Sequence, residues 1–520
     1  MLNLSTIIES NARNFPDKTA VIFNDQKFVY KQINALSNKI ANGLVKAGIN
    51  KGDKVALSCP NLPYFPIIYY GILKTGAIVV PLNILLKSKE IAYHLKDSDA
   101  KAYFCFQGTS ELPMAEEGFK GFKEAELCKN FIAITNSPED PSPLKNTTTM
   151  GEFIAEESER FDTVATESED SAVILYTSGT TGYPKGAELS HFNMVMNAFI
   201  SQNILELLFN DIQVVALPLF HSYGQTVQMN ASLAKGATIV LIPRFTPEAV
   251  LQAIVKEKAT IFAGVPTMYW ALLNYEDNQK FSIIKKVAES IRLGASGGAS
   301  LPLEILKGIE KKYGIPIIEG YGLSETSPLV TFGSLNKKRK PGSIGTGILG
   351  VELKVVDINN KKVPCGEIGE IVVRGHNVMK GYYKKPEATK KAIDENGWFH
   401  TGDMAKADEE GYIYIVDRLK DMIIRGGFNV YPREIEEVMM THPEISLVAV
   451  IGVPDQKYGE EIKACVVLKK GAKVSEQEIR QWSKTQMSAY KYPRIIRIYE
   501  SLPMTGTGKI LKKELRTAQT

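Results

Sequence analysis

The sequence predicts an α/β protein. A large N-terminal region of two packed βα sheets with a β-barrel subdomain is followed by a small α+β domain. Three observations carry that prediction. Short apolar runs alternate with helix-period segments in two separate series, over 1–105 and over 214–320. Helical periodicity fades over 341–416, where short strands alternate with Gly and Asn turns. After DRLKD at 417–421 a fresh helix–strand pattern begins and runs to the end of the chain. The divisions are therefore 1–416, a connecting segment 417–421, and 422–520.

In the first series, Ile33, Leu36, Ile40 and Leu44 repeat at helical spacing, and KVALSC at 54–59 is a strand. Ile67 to Leu73 is a helix, and AIVVPLN and KAYFCF are further strands. From 107 to 165 the pattern weakens, with SPEDPSP marking a surface loop. The run Ala172–Leu175 is a buried strand. The second series supplies strands VVALP (214–218), ATIVLIP (237–243), TIFAGVP (260–266), IRLGAS (291–296) and IPIIEG (315–320). Thr246 followed by Pro247 starts one helix, and Ser300 is the expected cap of the helix carrying Leu303 and Ile309. In such sheets, sites are expected at strand C-terminal ends. The glycines 345, 347 and 350 match GxGxxG, but they follow KKRKPGS and open a strand, so they are a turn and not a dinucleotide fingerprint. The last unit contains a helix from Pro432, strands LVAVIGV and IKACVVL, a helix over 475–485 and the strand RIIRIYE.

Hydrophobic residues make up 44% and charged residues 23% of the 520, an ordinary globular balance. A net charge of +4 gives no sign of a nucleic-acid partner. Five scattered cysteines, without CxxC pairs or metal-ligand spacing, suit a reducing compartment. The N-terminal residues lack the basic and apolar regions of a secretory signal, and no apolar run approaches the ~18–20 residues of a membrane span. A cytoplasmic protein is expected, with peripheral membrane contact left open.

The most informative stretch is Tyr176–Gly186, YTSGTTGYPKG. Successive N–H groups in such a loop form an anion nest, and Gly lets a phosphate approach the main chain. Thr177, Ser178, Thr180 and Thr181 add hydroxyls around Gly179, and Lys185 adds a positive charge. The usual nucleotide P-loop runs straight into a helix. Here Pro184 keeps Tyr183 out of helical geometry, and a helix opens only at Ser190. By composition alone, a plain flexible loop is the favoured reading.

The run YTSGTTGYPKG resembles the phosphate loop of the adenylate-forming (ANL) superfamily, which includes acyl-CoA synthetases, luciferases and nonribosomal adenylation domains. Five further segments match in order, so the resemblance covers nearly the whole chain. LPLFHSYG at 217–224 resembles the acyl-pocket segment and its gate, His221; a buried core histidine is the bland alternative. Amino-acid-activating relatives place an Asp here against the substrate ammonium. Phe220-His221-Ser222 offers no such counter-charge, which points to a plain carboxylic acid.

The resemblance implies further roles. Ser296, Gly297, Gly298 and Ala299 lie against adenine. In EGYGLSET, with Gly320 and Gly322, Tyr321 stacks on adenine, Thr326 bonds the α-phosphate, and Glu325 holds Mg²⁺ with Thr177. Asp403 binds ribose, Arg418 contacts ribose or phosphate, and Lys420 is the pivot about which a mobile C-terminal lid rotates. Arg425-Gly426-Gly427 is brought beside a pantetheine tunnel, and Lys509 bridges the acid and the α-phosphate.

These matches imply ATP, Mg²⁺ and coenzyme A as cofactors and substrates, and a reaction forming acyl-AMP and then acyl-CoA. LPLFHSYGQT looks most like bacterial medium- to long-chain fatty acyl-CoA ligases. The alternatives are an aryl or coumarate-type ligase, a luciferase-like oxygenase, and an acyl-AMP ligase loading a carrier protein. The insertion typical of that last group is missing between Tyr321 and Asp403. Dimers occur in the family, and Lys509 has the context of a regulatory acetylation site.

Overall fold

The computed structural model describes residues 2–177, 183–277, 283–419 and 421–517. Two large sheets form the body. The eight-stranded sheet runs Gly381–Tyr382, Lys185–Ser190, Ser171–Thr177, Ile78–Pro81, Lys54–Ser58, Ala100–Phe106, Asn130–Ile134 and Thr148–Thr149. The nine-stranded sheet places Leu293–Ser296 between Ile317–Gly322 and Ile261–Gly264, then continues through Ile212–Val215 and Thr238–Leu241 to Thr19–Phe23. Most central pairings are parallel, as alternating strands and helices require. Strands covered on both faces read as unbroken apolar runs, as in Ile261–Gly264, which is buried throughout.

The first series does not stay in one sheet. Thr19–Phe23 pairs in parallel with Thr238–Leu241 of the second sheet, a long-range choice that local patterning does not reveal. The helix Tyr30–Lys46 buries Ile33, Ile40 and Leu44, as its spacing requires. Tyr64–Lys74 buries every residue from Phe65 to Lys74 because it lies inside the body. Lys74 is tolerated there through a 2.5 Å ion pair with Glu9. Among the described residues no helix is long and apolar enough to cross a membrane.

Several boundaries differ from expectation. The helix Leu303–Tyr313 has Pro302 at its N-cap, not Ser300, and no side-chain cap of its own. The strand expected over 214–218 covers Ile212–Val215, and the chain then turns into a π-helical segment, Tyr223–Asn230. Gly224 permits that turn, since a Cβ there would stand 2.5 Å from the Pro218 carbonyl oxygen. The expected β-barrel is a four-stranded antiparallel sheet, Val351–Val356, Gly369–Gly375, Phe399–Ala407 and Ile413–Arg418. It needs no closure because Val355, Ile371, Val373, Ala405 and Ile413 pack with Val330 and Ile344 of the body. Gly345 and Gly350 take positive φ (+85° and +74°) just before Val351–Val356, as expected of a turn.

The C-terminal unit carries the long hairpin Ile445–Asp455 and Gly459–Leu468, flanked by Ile423–Arg425 and Ile495–Ile498. The helix Glu476–Gln486 is capped by Ser475, whose side chain accepts from the Glu478 N–H. An apolar cluster continues from the nine-stranded sheet into this unit through Ile423, Val430, Ile435 and Ile462.

Candidate active site

A cavity of about 1520 Å³ opens where strand ends of both sheets meet the C-terminal unit. Thr177 ends Ser171–Thr177, Gly322 ends Ile317–Gly322, and Gly297 directly follows Leu293–Ser296. The phosphate-loop candidate joins two antiparallel strands, with Thr177 opposite Lys185, so Lys185 begins a strand and not a helix. Ser178, Gly179, Thr180 and Thr181 of that loop lie outside the described residues, as does Lys420. Both ends of the loop are buttressed by the helix Ser88–Asp97: Tyr93 donates to the Pro184 carbonyl at the exit (2.7 Å), and Tyr176 at the entrance donates to Asp97 (3.0 Å).

Glu325 is buried, and its Oε1 accepts from the Thr177 hydroxyl and from the Tyr382 phenol, each at 3.0 Å. The Lys185 ammonium stands 4.8 Å from the centre of the Tyr382 ring. Carboxylate and hydroxyl oxygens are the hard donors that Mg²⁺ prefers. Among the described residues no group of three or more His, Cys, Asp or Glu forms a metal cage. A cation here would therefore draw its other ligands from substrate phosphates and water, which suits Mg²⁺. Tyr382 was not legible as a site residue. It arrives through the pairing of Gly381–Tyr382 with Glu188 and Ala187, a contact between segments almost 200 residues apart.

Opposite, the Tyr321 phenol donates to Asp403 Oδ2 at 2.6 Å, and Arg418 Nε lies 3.1 Å from Asp403 Oδ1. Burial, and then the Asp403 carboxylate, push the Tyr321 phenol far above its ordinary value, so it remains a donor. Adjacent strands create this pairing, since Asp403 and Arg418 are directly opposed across the antiparallel ladder.

Lys509 enters the cavity from the C-terminal unit. Its side chain is half-buried because it opens onto the cavity, while protein surrounds it. Burial and then Arg418 lower its pKa to about 8, against the opposing pull of Asp403 and Glu325. Gly298 makes room for it: its φ is +81°, and a Cβ there would stand 3.2 Å from Lys509 Cε. His221 also lines the cavity. Burial, and then the Lys509 charge, depress it to about 3, so it is neutral, and its Nδ1 accepts from the Tyr223 N–H at 3.3 Å. Asn61 fixes the approach to His221 by donating to the carbonyls of Val215 (3.1 Å) and Leu217 (2.9 Å) and accepting from the Leu219 N–H (3.0 Å). A single buried Asn in NLP carries no sequence signal for that role.

Other expected site residues are placed differently. Thr326 is fully buried, and its hydroxyl accepts from the Leu323 N–H (2.9 Å) and donates to the Pro328 carbonyl (2.6 Å). It closes the turn beneath Glu325 and does not line the cavity, so the expected bond to the α-phosphate is not prepared here. Gly320 and Gly322 line the cavity for packing reasons: a Cβ would stand 2.1 Å from the Phe332 ring at the first and 1.7 Å from the Pro328 oxygen at the second. Gly297 lines it beside Tyr223, whereas Ala299 does not. Gly426 and Gly427 form the tip of the hairpin Ile423–Arg425 and Phe428–Val430, outside the cavity lining. Arg425 beside them is held by Glu461 at 2.7 and 2.8 Å.

A two-sheet α/β body whose strand ends and a borrowed lysine enclose such a cavity defines the class of adenylate-forming ligases. The chain belongs to the AMP-binding enzyme family, whose model matches residues 8–383, and the family's C-terminal domain matches residues 434–509. It is 36% identical over 535 residues to a long-chain-fatty-acid–CoA ligase of Bacillus subtilis, covering 99% of this chain and 94% of that protein. It is similar to the crystal structure of the anthranilate CoA ligase AuaEII in complex with anthranoyl-AMP (TM-score 0.90, 30% identity, 99% and 97% of the chains). ATP-bound MatB from Rhodopseudomonas palustris is similar as well (TM-score 0.88, 32% identity, 99% of each chain). The protein is an ATP-dependent acyl-CoA ligase.

Proposed function

We propose that the protein activates a medium- to long-chain fatty acid in two half-reactions. The acid's carboxylate attacks the α-phosphorus of ATP and expels pyrophosphate. The thiolate of coenzyme A then attacks the acyl carbonyl and expels AMP. The observation that carries the reading is Lys509 inside the cavity, beside Gly298 and within the electrostatic reach of Arg418, Asp403 and Glu325.

Carboxylate and triphosphate repel, so the first step needs fixed positive charge where negative charge converges. Lys509 supplies it at the reacting atoms, and Lys185 supplies it at the leaving pyrophosphate. When bound, Mg²⁺ held by Glu325 neutralises phosphate charge. Asp403 receives the ribose hydroxyls, Arg418 steadies Asp403, and Tyr321 lies flat against adenine. Neutral His221 gates the acyl end without adding charge. The units 1–416 and 422–520 pivot at Lys420, which withdraws Lys509 and brings Gly426 and Gly427 to the pantetheine path for the second step. Cytoplasmic residence agrees with five unpaired cysteines, four of them buried.

A second reading, an aryl acid, is favoured by the aromatic side chains of Phe220 and Tyr223, which line the cavity on either side of His221 in the chain. Pyrophosphate exchange over fatty, aryl and amino acids, with and without coenzyme A, separates the two. Fatty acids are expected to give the highest rates, and a clear preference for aryl acids would overturn the first reading.

Tyr382→Phe removes one of the two hydroxyls on Glu325 Oε1. It is expected to lower exchange about tenfold, a lost hydrogen bond to a charged group costing ~1.5 kcal/mol, and to raise the Mg²⁺ needed for half-maximal rate. An unchanged Mg²⁺ titration would remove Tyr382 from this role.

A further inference from the structure

The segment that carries Lys509 rests on one short helix of the N-terminal body, Pro266–Leu273. Thr267 and Trp270 lie three residues apart and so share a face of it. The Thr267 hydroxyl donates to the Gly508 carbonyl at 2.5 Å, one residue before Lys509. Trp270 Nε1 donates to the Ser446 carbonyl (2.8 Å) and hydroxyl (3.0 Å), where the long hairpin of the C-terminal unit begins. The Trp270 ring also packs on that unit's own apolar cluster, which includes Leu447, Val467 and Leu515. The fit is close at the lysine end: Gly508 has φ +78°, and a Cβ there would stand 3.0 Å from Val265 and 3.1 Å from the Thr267 hydroxyl.

One helix thus grips the C-terminal unit at two separate places, its lysine loop and its sheet. The C-terminal unit also meets the body beside the connecting segment, where Arg433 donates to the Ile415 carbonyl at 2.5 Å, and through the apolar cluster at Ile423 and Ile435, but neither contact involves the lysine loop itself. Glu437 reaches the Leu303 N–H at 3.4 Å, and Lys470 pairs with Glu276 at 3.1 Å on the exposed surface, where an ion pair contributes little. Trp is the side chain most often found to dominate such an interface, because it removes a large apolar area from water while its N–H keeps a partner.

We propose that Thr267 and Trp270 are positioning residues for the first half-reaction, a docking helix that sets where the Lys509 ammonium stands. This rests on the two-step reading above. Neither residue touches the reacting atoms. Both act through the placement of the C-terminal unit, and the thioester step, in which Lys509 is withdrawn, does not use them.

The test measures the half-reactions separately, with the acid that the substrate panel selects. Pyrophosphate exchange reports adenylation, and conversion of supplied acyl-adenylate with coenzyme A reports thioester formation. Trp270→Leu is expected to lower exchange about 10- to 100-fold, the scale on which a misplaced catalytic group costs rate, and Thr267→Val by roughly 3- to 10-fold. Thioester formation stays within about twofold in both. Trp270→Phe, which keeps a ring and loses the donor, falls between wild type and Trp270→Leu and guards against a folding defect in the latter. Adding Thr267→Val to Lys509→Ala lowers exchange no further, because the placed group is already gone. Parallel loss of both half-reactions, or loss of neither, overturns the docking role. Lys509→Ala separates the two ideas: if it leaves exchange intact, the two-step reading fails. If it abolishes exchange while Trp270→Leu and Thr267→Val do not lower it, only the docking helix fails.

Discussion

Replacing Lys509 with Ala is expected to reduce adenylate formation by about three orders of magnitude, the scale of removing one preorganised charge from a transition state. Conversion of supplied acyl-adenylate to thioester is expected to remain within about twofold, because in the proposed mechanism that step does not use the ammonium. Pyrophosphate exchange and a coenzyme A assay on the preformed adenylate measure the two. Equal loss of both would refute a division of labour between the domains. The same lysine sets a pH dependence. Burial and Arg418 bring its pKa down to about 8 in the free enzyme, so its charge is present below that pH and is lost as pH rises through it. Adenylation kcat/KM, which reports the free enzyme, is expected to fall on the alkaline side of about pH 8, with the second half-reaction showing no such limb. Bound triphosphate restores negative charge around the ammonium, so the limb in kcat lies at higher pH than the limb in kcat/KM.

Asp403→Ala is the second large effect. The carboxylate is nearly buried and holds both the Tyr321 phenol at 2.6 Å and the Arg418 guanidinium at 3.1 Å. Its removal takes away the main partner of the half-exposed Arg418 guanidinium and the acceptor of the Tyr321 phenol, and a lost hydrogen bond to a charged group costs about 1.5–3 kcal/mol. Asp403 also helps keep Lys509 protonated. The expected result is a KM for ATP raised about 10- to 100-fold, with the alkaline limb of adenylation moved to lower pH. Initial rates over ATP and pH check both. An unchanged KM for ATP would remove Asp403 from the nucleotide site.

The local chemistry of the site was legible because it resides in short runs. In YTSGTTGYPKG, Pro184 excludes a helix directly after the loop, as the antiparallel pairing of Thr177 with Lys185 bears out, while the glycines and hydroxyls at 178–181 lie outside the described residues. Asp403 and Arg418 were readable only through their resemblance to the family's segment; that they face each other on neighbouring strands depends on register. Thr326 shows where such reading stops. A hydroxyl in a turn can serve a ligand or the backbone, and here the Leu323 N–H and the Pro328 carbonyl, which also bond each other, take it.

The sequence by itself determined the order of the parts: two βα series, a β segment, a small α+β unit, and the residue types needed to hold a triphosphate beside a carboxylic acid. These follow from local rules, since periodicity, turn chemistry and glycine placement act over a few residues. The tertiary structure alone decided which parts meet. Thr19–Phe23 crosses to the other sheet, Tyr382 reaches Glu325 through a two-residue strand, and Thr267 and Trp270 seat the loop that delivers Lys509. Those contacts join segments tens to hundreds of residues apart, and burial and hydrogen-bond satisfaction summed over the whole fold select them.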